Sequence, residues 1–385
     1  MVQDPLRAEI LKEKLGSAEN LEFMYFNPTS RGNPPPPRQG AILGMLKAVI
    51  KAIPQLRRKA FQAYRKGIDS RIASVARMTQ ATHCWFHFVQ GQSVPKLSIP
   101  VCGLVHDQNF RFYPEHLPKG KDIQFREALV AWLQEADMVS VLSEAGKQEI
   151  YGLDPSPVPR IEIIPNAVSP PGDALAAKGD TLPHFLYPSA ALAHKNHLLL
   201  FQAALLLEQY KCKCKFIICG KGTLDFAQGK GVANTAVREA REFYLKHKDV
   251  LAQRFEFLGE CSREKLEGLY ATARAVVLPS KYEGFGLPLV EALSKNTPVL
   301  CSGLVPFREQ TERYCAQEWV DFFDHSDPAS LAVLIRKQCE DPSCKNLGFF
   351  PVQNFYKWTW EDVANKYLRL FRGLSPDLKK TQVSA

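Results

Sequence analysis

The chain has no apolar run of about 18 residues, so no segment reads as a membrane-spanning helix. Its first sixteen residues are charged and have no apolar core, which argues against a secretory leader and for a cytoplasmic setting. The ten cysteines form no C-x2-C pair and no regular spacing, which excludes a secreted disulfide framework. Cys212, Cys214 and Cys219 stand close together, but without paired spacing they argue against zinc. No D-x-D triplet occurs, and the nine histidines form no ligand pattern, so no metal is expected. Internal repeats are absent, and the only low-complexity segment is the proline run at 34–37.

What is present is ordinary for a globular protein: 45% hydrophobic and 23% charged residues. At roughly 100–200 residues per domain, 385 residues suit two domains. The formal charge of +9 is unevenly spread, with nine Lys/Arg against Asp69 alone between positions 41 and 80. A basic stretch such as 47–77 can sit on anionic lipid or touch nucleic acid. A solvated helix face is an equal alternative. Peripheral membrane contact is kept as an expectation, and nucleic acid is not.

Short apolar runs alternate with helical spacing along the chain. Strands are expected at 21–26, 83–88, 99–105, 138–142 and 161–164, with a helix at 122–135 and Ser143 as an N-cap. The proline-bearing loop at 27–40 cannot be helical. Residues 169–180, with Pro170-Pro171-Gly172, read as a linker. Beyond it, strands at 185–187, 215–219, 255–258, 275–278 and 298–301 alternate with helices at 197–207, 263–272 and 287–294. This alternation predicts βαβ units and parallel sheets. The expected division is an acceptor-side domain over 1–175 and a nucleotide-binding domain over 181–357. A final helix at 358–374 carries an apolar stripe that packs back on the first domain.

Ligands of such sheets bind beyond the carboxyl ends of the strands. The most informative segment there is 278–293, LPSKYEGFGLPLVEAL. It reads as strand, glycine-bearing loop, then helix, with Pro288 suited to the first helical turn. Free N–H groups of that turn make an anion site at Phe285, Gly286 and Leu287. Glu283 and Glu291 flank it and can accept hydrogen bonds from hydroxyls. From spacing alone, a loop acid and a helix acid of no special role fit equally well.

Glu283 to Glu291 matches an E-x7-E signature, and its context resembles glycosyltransferase family 4. Outlying segments agree: His194-Lys195-Asn196-His197, Val105-His106-Asp107, Tyr113-Pro114-Glu115 and Ile164-Pro165-Asn166. The resemblance covers roughly residues 82 to 372. It implies a GT-B fold, with two Rossmann-like parallel-sheet domains facing a central cleft. It further implies a retaining hexosyltransferase using a nucleotide-diphosphate sugar and a carbohydrate or lipid-linked acceptor, with no cofactor and no metal. By the same resemblance Lys195 binds the donor diphosphate, with the backbone at Phe285, Gly286 and Leu287. Glu283 contacts the transferred sugar, Glu291 the ribose and His106 the sugar from across the cleft. Gly220, in Gly220-Lys221-Gly222, approaches the nucleotide; apart from the resemblance, Ser189 can donate a hydrogen bond where the usual arginine is missing.

Two departures stand out. Ala190 occupies the position where many members carry an arginine, and the loop at 28–40 replaces a glycine-rich acceptor loop. They keep a non-catalytic glycan- or membrane-binding partner subunit open as an alternative. An epimerase or a phosphorylase on the same fold is the other. A histidine after a strand is often structural, and a lysine is usually on the surface.

Overall fold

The computed structural model describes residues 70, 72–74, 76–78, 81–87, 89–168, 183–228, 235–341 and 348–374. The expected strand at 21–26, the proline-bearing loop, most of the basic stretch 47–77 and the linker 169–180 lie outside the described residues.

Two parallel sheets organise the described chain. The first has the order β1 (Cys84–Phe86), β2 (Val101–Val105), β3 (Met138–Val141) and β4 (Arg160–Ile163). The second has six strands: β5 (His184–Pro188), β6 (Lys215–Cys219), β7 (Phe255–Gly259), β8 (Ala275–Leu278), β9 (Val299–Ser302) and β10 (Val320–Phe323). Their spatial order is β10-β9-β8-β5-β6-β7. The chain moves outward from β5 to β7, then crosses back to lay β8 on the other side of β5. The strand order therefore reverses between β5 and β8, where a doubly wound sheet opens its ligand crevice.

Local sequence accounts for most of these elements. Every residue of β2, β3, β8 and β9 is buried, as strands covered on both faces must be. Helix α1 (Lys121–Glu135) buries Leu129, Trp132 and Leu133. Helix α2 (Glu144–Leu153) starts where expected, because the Ser143 hydroxyl accepts from Gly146 N–H at 3.0 Å. In the second sheet the connecting helices are α3 (His197–Gln209), α4 (Thr235–Lys246), α5 (Arg263–Thr272), α6 (Leu287–Leu293), α7 (Val305–Arg313) and α8 (Pro328–Glu340). Strand β10 and helices α4, α7 and α8 escape the pattern reading. β10 has only four residues, with Asp321 and Phe322 half-buried between buried Val320 and Phe323, and α7 is mostly polar.

The last helix, α9 (Trp360–Arg372), starts with a capping box between Thr359 and Asp362 and lies on the first sheet. The Tyr367 hydroxyl is 2.9 Å from Ser140 Oγ of β3, and its ring packs on Trp85 of β1. Lys366 Nζ donates to Ile163 O, and Trp358 Nε1 to Pro165 O. Val363 is buried with Ile164 and Ala167, and Leu370 joins them. Among the described residues, no helix is long and apolar enough to cross a membrane.

Candidate functional site

The first component follows β5. Residues Ala193–Lys195 form one tight turn, and Asn196 closes it in the left-handed region at φ 58°. Asparagine tolerates that conformation better than most residues. The buried Asn196 amide donates to Pro279 O at 3.0 Å and to His325 O at 2.9 Å. Lys281 N–H donates to His194 O at 2.7 Å. The turn after β5 is thus fastened to the loop after β8, and the two sides of the crevice are held together.

That fastening sets the central contact. Lys195 Nζ donates to Glu283 Oε1 at 2.6 Å, and Ser280 Oγ donates to the same oxygen at 2.7 Å. The side chains are only 18% and 11% exposed. Tyr187 OH donates to Lys195 O, and burial pushes its phenol up, so it stays protonated. The neighbouring His197 is pushed down to about 3, mainly by burial and then by the Lys195 charge. It is therefore neutral at pH 7, and Lys195 is the cation at this turn.

The second component is the loop and helix after β8. Gly286 caps α6, which carries Pro288 in its first turn. Phe285 sends its ring into the core, so only its backbone can face a ligand, whereas Leu287 is exposed. Glu291 lies just beyond the first turn and accepts from Tyr270 OH at 2.8 Å. Burial raises its carboxyl, against the lowering effect of that bond. The two acids of the signature thus have separate partners: Glu283 holds Lys195, and Glu291 holds Tyr270 of α5.

The third component follows β6. At Gly220, φ is 146°, and a Cβ there would collide with the Ser189 carbonyl. Only glycine lets the two loops run this close. Ser189 N–H donates to Cys219 O and Ala191 N–H to Lys221 O, each at 2.8 Å. The Ser189 hydroxyl is buried and donates to Ala190 O at 3.2 Å.

The first sheet supplies the opposite wall. His106, just past β2, uses Nε2 against His87 O at 2.8 Å. A carbonyl only accepts, so Nε2 carries the proton. The His106 carbonyl itself abuts Gly284, where a Cβ would collide with it. Ser143 Oγ donates to Gly284 O at 2.9 Å, so the N-cap residue of α2 also grips the signature loop. Beside it, Tyr282 OH accepts from Gln108 N–H at 2.7 Å and donates to Glu149 Oε2 at 2.8 Å. Burial pushes the Glu149 carboxyl up to about 7, opposed by the Tyr282 bond and the Arg111 charge.

The structure therefore brings His106, Lys195 and Glu283 to one place, with Phe285 and Gly286 on the same loop. Glu291 is hydrogen-bonded to Tyr270, and Gly220 lies against the Ser189 carbonyl on the loop that leads to Lys195. Sequence reasoning missed Tyr270, Ser280, Tyr282 and Glu149. Tyr282 and Ser280 lie inside the signature segment and were within reach. Tyr270 and Glu149 are helix residues whose role depends on a neighbour distant in sequence.

Comparisons with known proteins bear on this geometry. Residues 176–348 match the family described as Glycosyl transferases group 1. The chain is 30% identical over 142 residues to the serotype-specific mannosyltransferase WbdA of Escherichia coli, covering 35% of this chain and 16% of that protein. It is 30% identical over 218 residues to the O-antigen chain mannosyltransferase B of Escherichia coli, covering 53% of each. It thus spans about half the length of the second relative and a small part of the first. The structure of sucrose-phosphate synthase from Thermosynechococcus elongatus superposes with a TM-score of 0.61 at 18% identity, covering 82% of this chain and 79% of that one. The fold is GT-B. Within it, the Lys195–Glu283 pair lies at the strand-order reversal, and His106 lies on the facing wall.

Proposed function

We propose that the chain is a retaining glycosyltransferase that moves a hexose from a nucleotide-diphosphate sugar to an acceptor hydroxyl in polysaccharide assembly. The observation that carries this is the withdrawn pair of Lys195 Nζ and Glu283 Oε1, 2.6 Å apart, at the carboxyl ends of β5 and β8. A departing diphosphate needs positive charge, and a cation in a water-poor crevice stabilises it far better than one in bulk water. When the donor enters, its phosphates compete for the Lys195 ammonium. Glu283 then becomes free to accept hydrogen bonds from the sugar hydroxyls. Glu291, beside Tyr270, takes the ribose hydroxyls, and His106 faces the sugar from the other wall. Gly220 leaves room for the nucleotide.

Among the described residues no side chain stands out as a nucleophile, which favours same-face substitution. The acceptor oxygen bonds to the anomeric carbon as the bond to the diphosphate breaks. The hydroxyl proton passes to the departing phosphate oxygen. No metal is needed at the diphosphate in this scheme. The names of the relatives support a mannosyl donor and a glycan acceptor such as a growing polysaccharide. Glycosyl transferases group 1 as the matching family supports the reaction class.

The test is donor hydrolysis and transfer by the purified chain, screened across UDP- and GDP-sugars with GDP-mannose included. Removing one charge contact at a transition state costs about 10²–10³ in rate, so Lys195→Ala and Glu283→Gln are both expected to fall by that factor. Circular dichroism checks that each variant is folded. Normal turnover by both folded variants would end the assignment.

A further inference from the structure

Three thiols far apart in the chain meet at one side of the second sheet. Cys212 and Cys214 immediately precede β6, and Cys339 lies in the last turn of α8. Their sulfur atoms all lie within 4.8 Å of one another. Cys212 and Cys214 are buried and Cys339 is half-buried. Cys219, grouped with them by sequence, is at the other end of β6 beside Cys261 and takes no part.

We propose that Cys212, Cys214 and Cys339 together bind one zinc ion. Tetrahedral zinc with Zn–S bonds of about 2.3 Å holds its sulfurs about 3.8 Å apart. The observed spread exceeds that by no more than about 1 Å, a side-chain adjustment rather than a backbone rearrangement. Thiolate ligands suit zinc and other soft ions, and they exclude magnesium and calcium. Three S–H bonds break, three S–Zn bonds form, and the protons pass to solvent, with no change of oxidation state. Three thiolates around a dication leave one negative charge, and guanidinium groups surround it. The Arg254 guanidinium is the one with a direct contact, its Nη1 lying 3.8 Å from Cys214 Sγ.

The site sits at the amino end of β6, whereas the sugar-nucleotide crevice sits at the carboxyl ends. It fastens α8 to the strand start, closing a long loop of chain, so its role is structural. The absence of C-x2-C spacing spoke against zinc only because the third ligand comes from 125 positions further along the chain, at Cys339.

The rival explanation is three small apolar groups packed together, since buried cysteine commonly behaves that way. The full chain, reduced with a phosphine and stripped by chelation, is dialysed against Zn²⁺ and analysed for metal. One zinc per chain and a raised thermal midpoint are expected. The combined variant Cys212→Ser, Cys214→Ser, Cys339→Ser is expected to retain none, while Cys315→Ser keeps the full amount. Wild-type protein with Cd²⁺ is expected to develop a thiolate-to-cadmium absorption band, a readout independent of how the variants fold. No retained zinc in the wild type, equal zinc in the combined variant, or no cadmium band would overturn the site.

Discussion

Gly284 does more at the crevice than its place inside a signature suggests. Its backbone lies flat against the His106 carbonyl, and its own carbonyl accepts from Ser143. Adding one methyl there forces the loop away from the opposite wall and carries the adjacent Glu283 with it. Misplacing a catalytic group by about 1 Å can cost about 10²-fold in rate. Gly284→Ala is therefore expected to lower kcat/KM by about that factor, at an overpacking cost of about 1–3 kcal/mol in stability. Steady-state kinetics beside a urea titration reads both effects. Unchanged kinetics would mean that the contact with His106 does not align the site. The Lys195–Glu283 pair is a different case, since removing one partner of a withdrawn ion pair strands the other. The glutamine variant keeps a hydrogen-bonding group opposite Lys195 for that reason.

At the scale of elements, α9 is the strap that returns the chain to the first sheet. Its hold is divided between an apolar seam around Val363 and polar contacts at its ends. Tyr367 joins the two, with its ring on Trp85 and its hydroxyl on Ser140. Tyr367→Phe removes only the hydroxyl, and about 0.5–1.5 kcal/mol of stability is expected to go with it. Tyr367→Ala also removes the ring, for which about 3–5 kcal/mol is expected. Thermal and urea denaturation of the pair separates seam from hydrogen bond. Equal losses in both variants would show that the ring contributes nothing.

Across the whole molecule, the two walls are held together by a polar clamp. Gln108 and Glu149 of one side meet Tyr282 of the other, with Arg111 bracing Glu149 through its backbone and its charge. The Glu149 carboxyl is raised from an ordinary 4.5 to about 7, chiefly by burial. Between those values the folded chain holds a proton that the unfolded chain has released. The Glu149 contribution is therefore present in full below about pH 4.5 and declines as pH rises to about 7. Glu149→Gln cannot ionise, so it is expected to lack that decline. The gap between parent and variant is expected to grow by about 1–3 kcal/mol from pH 5 to pH 8. Parallel pH profiles in urea titrations would show that Glu149 does not titrate in the clamp.

Strands β3 and β8, helix α5 and the Ser143 cap follow from local pattern, because burial on both faces demands unbroken apolar runs and a helix start favours a short polar cap. The positions of Lys195, Glu283 and His106 just past strand ends were likewise legible, since they follow from where the strands stop. Helices α4 and α8 carry helical spacing in Val237, Ala240 and Tyr244 and in Leu331, Ala332 and Ile335 that the reading passed over, whereas β10 is too short and α7 too polar to stand out before packing. Sequence alone thus determined the alternating sheets and the loops beyond their strand ends, through local periodicity and turn residues. Tertiary structure alone decided which groups touch: Tyr270 with Glu291, Glu149 with Tyr282, and Cys339 with Cys212 and Cys214. Those contacts join segments that only strand order and helix packing bring together, and no local pattern encodes them.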